Sequence, residues 1–155
     1  MNLTKKQLSE LMPMHSLPVK KREKSTTTES KVQSKVSKWL RHNHPLLYFQ
    51  TDFAAGLHLP INIATIRASQ APDMKVLDIT ILKARKPYHG LVIELKKDGE
   101  SPFLKDGITL KSNNHLRSQN QSIEILRGDG YYATFSVGFD ETILVIERYL
   151  SLPIW

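Results

Sequence analysis

Apolar residues recur along this chain in two periods, and the changes between them mark out its elements. From residue 28 the spacing is helical, with Val32, Val36, Trp39 and Leu40 on one stripe and Lys31, Lys35 and Lys38 on the opposite face. Hydroxyls of the Thr26-Thr27-Thr28 run can cap the start of this helix, and His44-Pro45 ends it. Leu46 to Phe49 predicts a short edge strand leading into Gln50-Thr51-Asp52-Phe53-Ala54-Ala55-Gly56, and Pro60 to Ala68 a short helix that begins with Pro at a favoured position. Alternation then takes over: Leu77 to Lys97 reads as two adjacent strands joined by a short basic turn. Asp98-Gly99 turns the chain into a polar excursion from Glu100 to Lys111, a small hairpin or ordered loop. Asn113 or Asn114 caps a helix carrying Leu116, Ile123 and Leu126 on one side, which Gly128 and Gly130 close. Tyr131 to Val137 alternates as another strand, and Asp140 caps a last helix with Ile143, Leu144, Ile146, Tyr149 and Leu150 facing inward. The sum is an α/β fold, a mixed sheet of four or five strands flanked by helices.

A few polar residues stand where this pattern calls for apolar ones. Glu94 and Lys96 share a strand face with Val92, and Asp78 shares one with Thr80. Two carboxylates and a lysine are costly to bury without a partner, and a divalent cation suits two hard oxygen ligands. Gln119 falls on the apolar side of its helix, four residues before Ile123; the competing Gln121 fits a solvent face better. A neutral amide facing a core needs hydrogen-bond partners, and a lysine over a metal site would supply one. Glu29 and Gln33 lie beside the first apolar stripe, although a Glu in a first helical turn is commonplace because it complements the helix dipole. Asp52 either faces the same cleft or bonds its own backbone in a turn, and Arg67 is a candidate phosphate contact by location.

Composition narrows the classes. With 155 residues, 40% of them hydrophobic, the chain suits one compact domain. It holds no apolar run of membrane-spanning length, and its polar, basic start does not read as a secretion leader, so we expect no membrane association. Cysteine is absent, which removes disulfides and thiolate metal sites and makes a reducing cytoplasm the default compartment. The six histidines are scattered, without the spacing of a zinc site, and no Gly-rich phosphate loop or nucleophile elbow occurs. Net charge is +7, concentrated in residues 1 to 24, where Lys5, Lys6, Lys20, Lys21, Arg22 and Lys24 face only Glu10 and Glu23. That segment is either a polyanion-binding arm or a solvated leader.

An Asp followed by a strand ending in Glu-X-Lys resembles the PD-(D/E)XK nuclease superfamily. The segment Tyr88 to Gly99, Gln119 followed eleven residues later by Gly130, the strand Tyr131 to Val137 and Gly138-Phe139-Asp140 resemble the VRR-NUC family, especially its small stand-alone bacterial and phage members. The resemblance spans residues 28 to 150. Relatives usually read Gly-X-Pro-Asp ahead of the first metal strand, and the chain offers Pro72-Asp73 or Leu77-Asp78. Asp78 lacks the proline but opens Ile79-Thr80-Ile81 and stands ten residues before Tyr88, the separation the family shows.

The resemblance implies a restriction-endonuclease-like fold over residues 26 to 152, behind a basic, weakly structured segment 1 to 25. It implies an endonuclease dependent on Mg²⁺ or Mn²⁺ in which Asp78, Glu94 and the backbone carbonyl of Leu95 bind metal. Lys96 would position the attacking water, Gln119 would orient Lys96, and Glu29 would complete the acidic side directly or through water. Branched DNA, Holliday junctions first, is the implied substrate, in a bacterial cytoplasm or that of a phage's host. Symmetric cutting of a four-way junction needs two sites, hence a homodimer. The alternatives are a catalytically inactive nucleic-acid-binding module on the same fold, and a replication or packaging accessory recruited through the basic amino-terminal segment.

Overall fold

A computed structural model describes residues 28–52 and 58–155. Residues 1–27 and 53–57 lie outside the described residues, among them the basic amino-terminal segment and the Phe53 to Gly56 stretch. The first helix, α1 (Glu29–Asn43), starts where the Thr28 hydroxyl accepts a hydrogen bond from the Lys31 N–H at 3.3 Å, and it buries Val32, Val36 and Leu40 one turn apart. Strand β1 (Phe49–Thr51) follows, later than the expected Leu46 to Phe49. Its ladder with the next strand begins only at Phe49, and Leu46, at the turn after Pro45, is left in solvent. Helix α2 (Ile61–Gln70) buries none of its residues.

The central pair is β2 (Ile79–Ile81) and β3 (Leu91–Lys96), antiparallel, with Ile79 opposite Ile93 and Ile81 opposite Leu91. Helix α3 (Asn114–Gly128) is capped by Asn113, whose side chain accepts from the His115 and Leu116 N–H groups. Strand β4 (Tyr132–Val137) then returns parallel to β3, and α4 (Gly138–Leu150) ends the fold. The sheet is four-stranded, in the order β1-β2-β3-β4. A parallel neighbour requires a crossover, and α3 provides it. Among the described residues no helix is long and apolar enough to cross a membrane.

Alternation divides the core in two. One face of the sheet, with Ile79, Ile81, Leu91, Ile93 and Leu95, packs on α1 and α4. The other, with Val92, Ala133 and Phe135, packs on Ile123 of α3 and forms the smaller cluster. Every residue of β3 is buried, as befits the middle of a sheet covered on both sides.

The start of α4 departs from the expectation that Asp140 caps it. Gly138, at φ +73°, lets the chain turn directly from β4 into the helix, so Val137 takes the cap position and Asp140 falls in the first turn. Glu141 reaches back to accept from the Val137 N–H at 3.1 Å. Val145, rather than Leu144, is fully covered on the inner face.

At the other end of the sheet Gly130 has φ +84°, and a Cβ there would lie 2.6 Å from the His89 ring. Gly130→Ala is expected to lose about 1–3 kcal/mol of stability, from the left-handed backbone and the displaced imidazole together. Urea unfolding of the two proteins checks this.

Candidate active site

At the end of the sheet where β3 finishes and β2 begins, four segments converge. Asp78 immediately precedes β2, and its carboxylate accepts from the Leu95 N–H at 2.7 Å, extending the ladder by one rung through a side chain. Continuing the register of the antiparallel pair sets Asp78 across from Glu94. Asp73, the other candidate, lies exposed in the segment before β2, away from this rung. Glu94 and Lys96 come from β3 and are almost wholly covered. Lys96 Nζ donates to Glu94 Oε1 at 3.0 Å and lies 3.6 Å from Glu29 Oε1, at the first turn of α1. The five residues singled out in the sequence thus meet around one buried lysine and its neighbours.

Gln119 completes the cluster from α3, but not toward the expected partner. Its Nε2 donates to Glu94 Oε1, the same oxygen that Lys96 holds, and its other contact is with His115 Nε2 at 3.0 Å. The amide therefore grips the carboxylate, and the lysine is held through that carboxylate. Gln121 is exposed. Sequence reasoning misses His115, although a histidine four residues before a buried glutamine on one helix face is the signal that finds it.

The electrostatics reflect two acids sharing a dry corner. Burial first, then the field of Asp78, pushes Glu94 up to about 7, with Lys96 pulling the other way. Burial likewise raises Asp78, opposed chiefly by its hydrogen bond from Leu95. Glu94 Oε2 and Gln119 Oε1 are buried without a hydrogen-bond partner. A buried acceptor left empty costs about 1–3 kcal/mol, so two oxygens in this state could take a cation or its water. Among the described residues no group of three or more His, Asp or Glu side chains is gathered to hold a metal. The side chains on offer are two carboxylates, which is how Mg²⁺ is commonly held, the rest of its shell being water and substrate oxygen. The residues present fit such an ion.

Asp52, just past β1, continues the same rung one strand over, its N–H donating to the Asp78 carbonyl at 2.9 Å. Its carboxylate takes both bonds from Arg67 Nη2, at 2.6 and 2.7 Å, and its carbonyl accepts from Gln33 Nε2 at 3.1 Å. Asp52 and Arg67 therefore brace α2 against the sheet end, and Gln33 ties α1 to the same point. Beside them opens a cleft of about 410 Å³, walled by α2 and the 71–76 segment and bordered by Lys75 and Ser118.

Neither the protein-family models nor the curated proteins yield a match to this sequence. Among solved structures, one described as a VRR_NUC domain protein matches with a TM-score of 0.57 and 29% sequence identity, covering 84% of this chain and 93% of that one. The sheet, its flanking helices and the order of its elements follow that nuclease fold. In fold and in sequence, then, the chain is similar to a VRR_NUC domain protein.

Proposed function

We propose that this chain is a metal-dependent endonuclease that hydrolyses phosphodiester bonds in branched DNA, with four-way junctions the preferred substrate. The observation that supports it best is the buried Glu94, with one oxygen shared by Lys96 and Gln119 and the other unpartnered, set across from Asp78 in a nuclease-family fold. Nucleases of this fold family generally use divalent metals. Asp78 and Glu94 would hold Mg²⁺ or Mn²⁺, with the Leu95 carbonyl as a further ligand and Glu29 reached through water. Such an ion, when bound, supplies Lewis-acid stabilisation of charge on the phosphoryl oxygens and a water of lowered pKa.

The remaining work falls to the chain itself. In hydrolysis the water oxygen bonds to phosphorus as the bond to the leaving oxygen breaks, and that oxygen must be protonated. Lys96, fixed at 3.0 Å from Glu94 and with three N–H donors, orients the water and offers positive charge where negative charge grows. Gln119 stops Glu94 from rotating away, and burial of both keeps bulk water out of the corner. Asp52 and Arg67 set the outer wall along which a strand approaches.

Preference for branched DNA rests on the family resemblance, and symmetric resolution would require a two-fold homodimer. The test is cleavage of matched four-way junction, flap and linear duplex DNA with Mg²⁺, Mn²⁺ or EDTA, alongside a light-scattering mass. We expect paired, metal-dependent cuts at the junction by a dimer, weaker cutting of duplex, and none in EDTA. Binding of all three DNAs without cutting under either metal would make the chain a binding module instead.

A further inference from the structure

We propose that His115 is a positioning residue, which fixes the end of the Gln119 amide that meets Glu94 and does so only in its neutral form. The inference deepens the proposed function, since it assigns a second layer to the same site.

An amide beside a carboxylate has one acceptable orientation. Glu94 Oε1 already accepts from Lys96 and stays an acceptor when the carboxyl proton sits on Oε2, so with Gln119 Oε1 turned to it two acceptors would face each other, and the NH₂ must face it, as found. That NH₂ has a second hydrogen, and His115 Nε2 stands 3.0 Å away. Because the amide nitrogen can only donate, the imidazole nitrogen must accept. The ring is therefore neutral, with its proton on Nδ1. His115 is itself anchored, its backbone N–H bonded to the Asn113 side chain at 2.8 Å in the first turn of α3.

Protonation would reverse the contact. Nε2 would then carry a hydrogen directed at another donor, and the relief available is to rotate the amide so that Oε1 faces the ring. That rotation takes the N–H from Glu94, which keeps only Lys96 on the shared oxygen. Every nearby element bears on this balance. Partial desolvation and the charges of Lys75, before β2, and Lys96, on β3, hold His115 below its ordinary value near 6.5, while Glu29 on α1 opposes them. The positive end of the helix dipole also disfavours a cation there. Gln119 can therefore keep its working orientation across neutral pH.

The experiment follows the Gln119 side-chain amide by ¹H–¹⁵N NMR in metal-free protein as pH is lowered, in wild type, His115→Ala and His115→Gln. We expect its two hydrogens to shift twice in wild type, once as Glu94 takes up its proton near 7 and again at lower pH with His115, and to keep only the first step in His115→Gln, which offers an oxygen acceptor that does not titrate. In cleavage assays with Mn²⁺, His115→Ala should lower kcat about 10- to 100-fold with little change in KM, and His115→Gln should recover most of that loss. Thermal unfolding confirms that the exposed substitutions leave the fold intact. A Gln119 amide indifferent to the state of residue 115, or equal kcat in all three proteins when wild type cuts, overturns the proposal. If the amide follows His115 but wild type cuts no DNA, the contact stands and the nuclease reading fails.

Discussion

Glu94→Gln is expected to lower metal-dependent DNA cleavage on the order of a thousandfold, the scale on which loss of a group aimed at developing charge acts. The substitution is nearly isosteric. The oxygen of the new amide can still accept from Lys96 and Gln119, so the corner keeps its packing and the fold should survive. What disappears is the second charged oxygen, the one with no partner inside the protein. Lys96→Ala should be equally inactive but less stable at high pH, because it strands Glu94 without the cation beside it. Single-turnover cleavage of a four-way junction, with circular dichroism of each variant, checks both. A Glu94→Gln protein that still cuts within about tenfold of wild type would remove Glu94 from the site.

The metal-free protein should lose stability as pH rises through neutrality, against the trend of most carboxylates. In an unfolded chain Glu94 ionises near 4.5, whereas in the fold it holds its proton to about 7. Between these values the unfolded state has released a proton that the folded state keeps, so the stabilisation is fully present below the lower value and is gone above the upper. A shift of this size corresponds to about 3 kcal/mol at its end point. The raised Asp78 acts in the same direction. Urea unfolding in EDTA should therefore give a lower midpoint at pH 8 than at pH 5, and Glu94→Gln should flatten the difference. At pH 8, Mg²⁺ or Mn²⁺ at about a hundred times its Kd should return about 3 kcal/mol. A pH-independent midpoint that does not respond to either ion would mean that the corner neither strains nor binds.

The parts of this site that are legible in the sequence are those set by periodicity. Asp78, Glu94 and Lys96 stand out because strand alternation puts charge where Thr80 and Val92 predict a covered face, and Gln119 because helical spacing puts it above Ile123. Glu29 owes its selection to the family resemblance, since a Glu in a first turn says little by itself. What periodicity does not supply is which side chain meets which. Gln119, expected on Lys96, grips Glu94, because the shared oxygen lies between them. The Arg67 brace on Asp52 joins residues 15 apart through the placement of a helix that buries nothing, so no apolar stripe announces it. The cap of α4 escapes the sequence for a related reason. Asp140 is a good cap by type, but a glycine with φ +73° begins the helix earlier than any side-chain rule foresees.

The crossover between the parallel strands also sets an order of events. The bonds that hold Glu94 and Asp78 reach across 25 and 17 residues, and the amide that closes the corner arrives on α3, after β3 in the chain. During synthesis, Glu94 and Lys96 are thus in place on their strand before the helix that covers them exists, and α3 rests on the smaller of the two apolar clusters. The proposed cutting therefore depends on α3 being seated over the sheet end. Lifting α3 would withdraw the Gln119 amide from Glu94, so that cutting should fail in a partly opened molecule before the fold is lost.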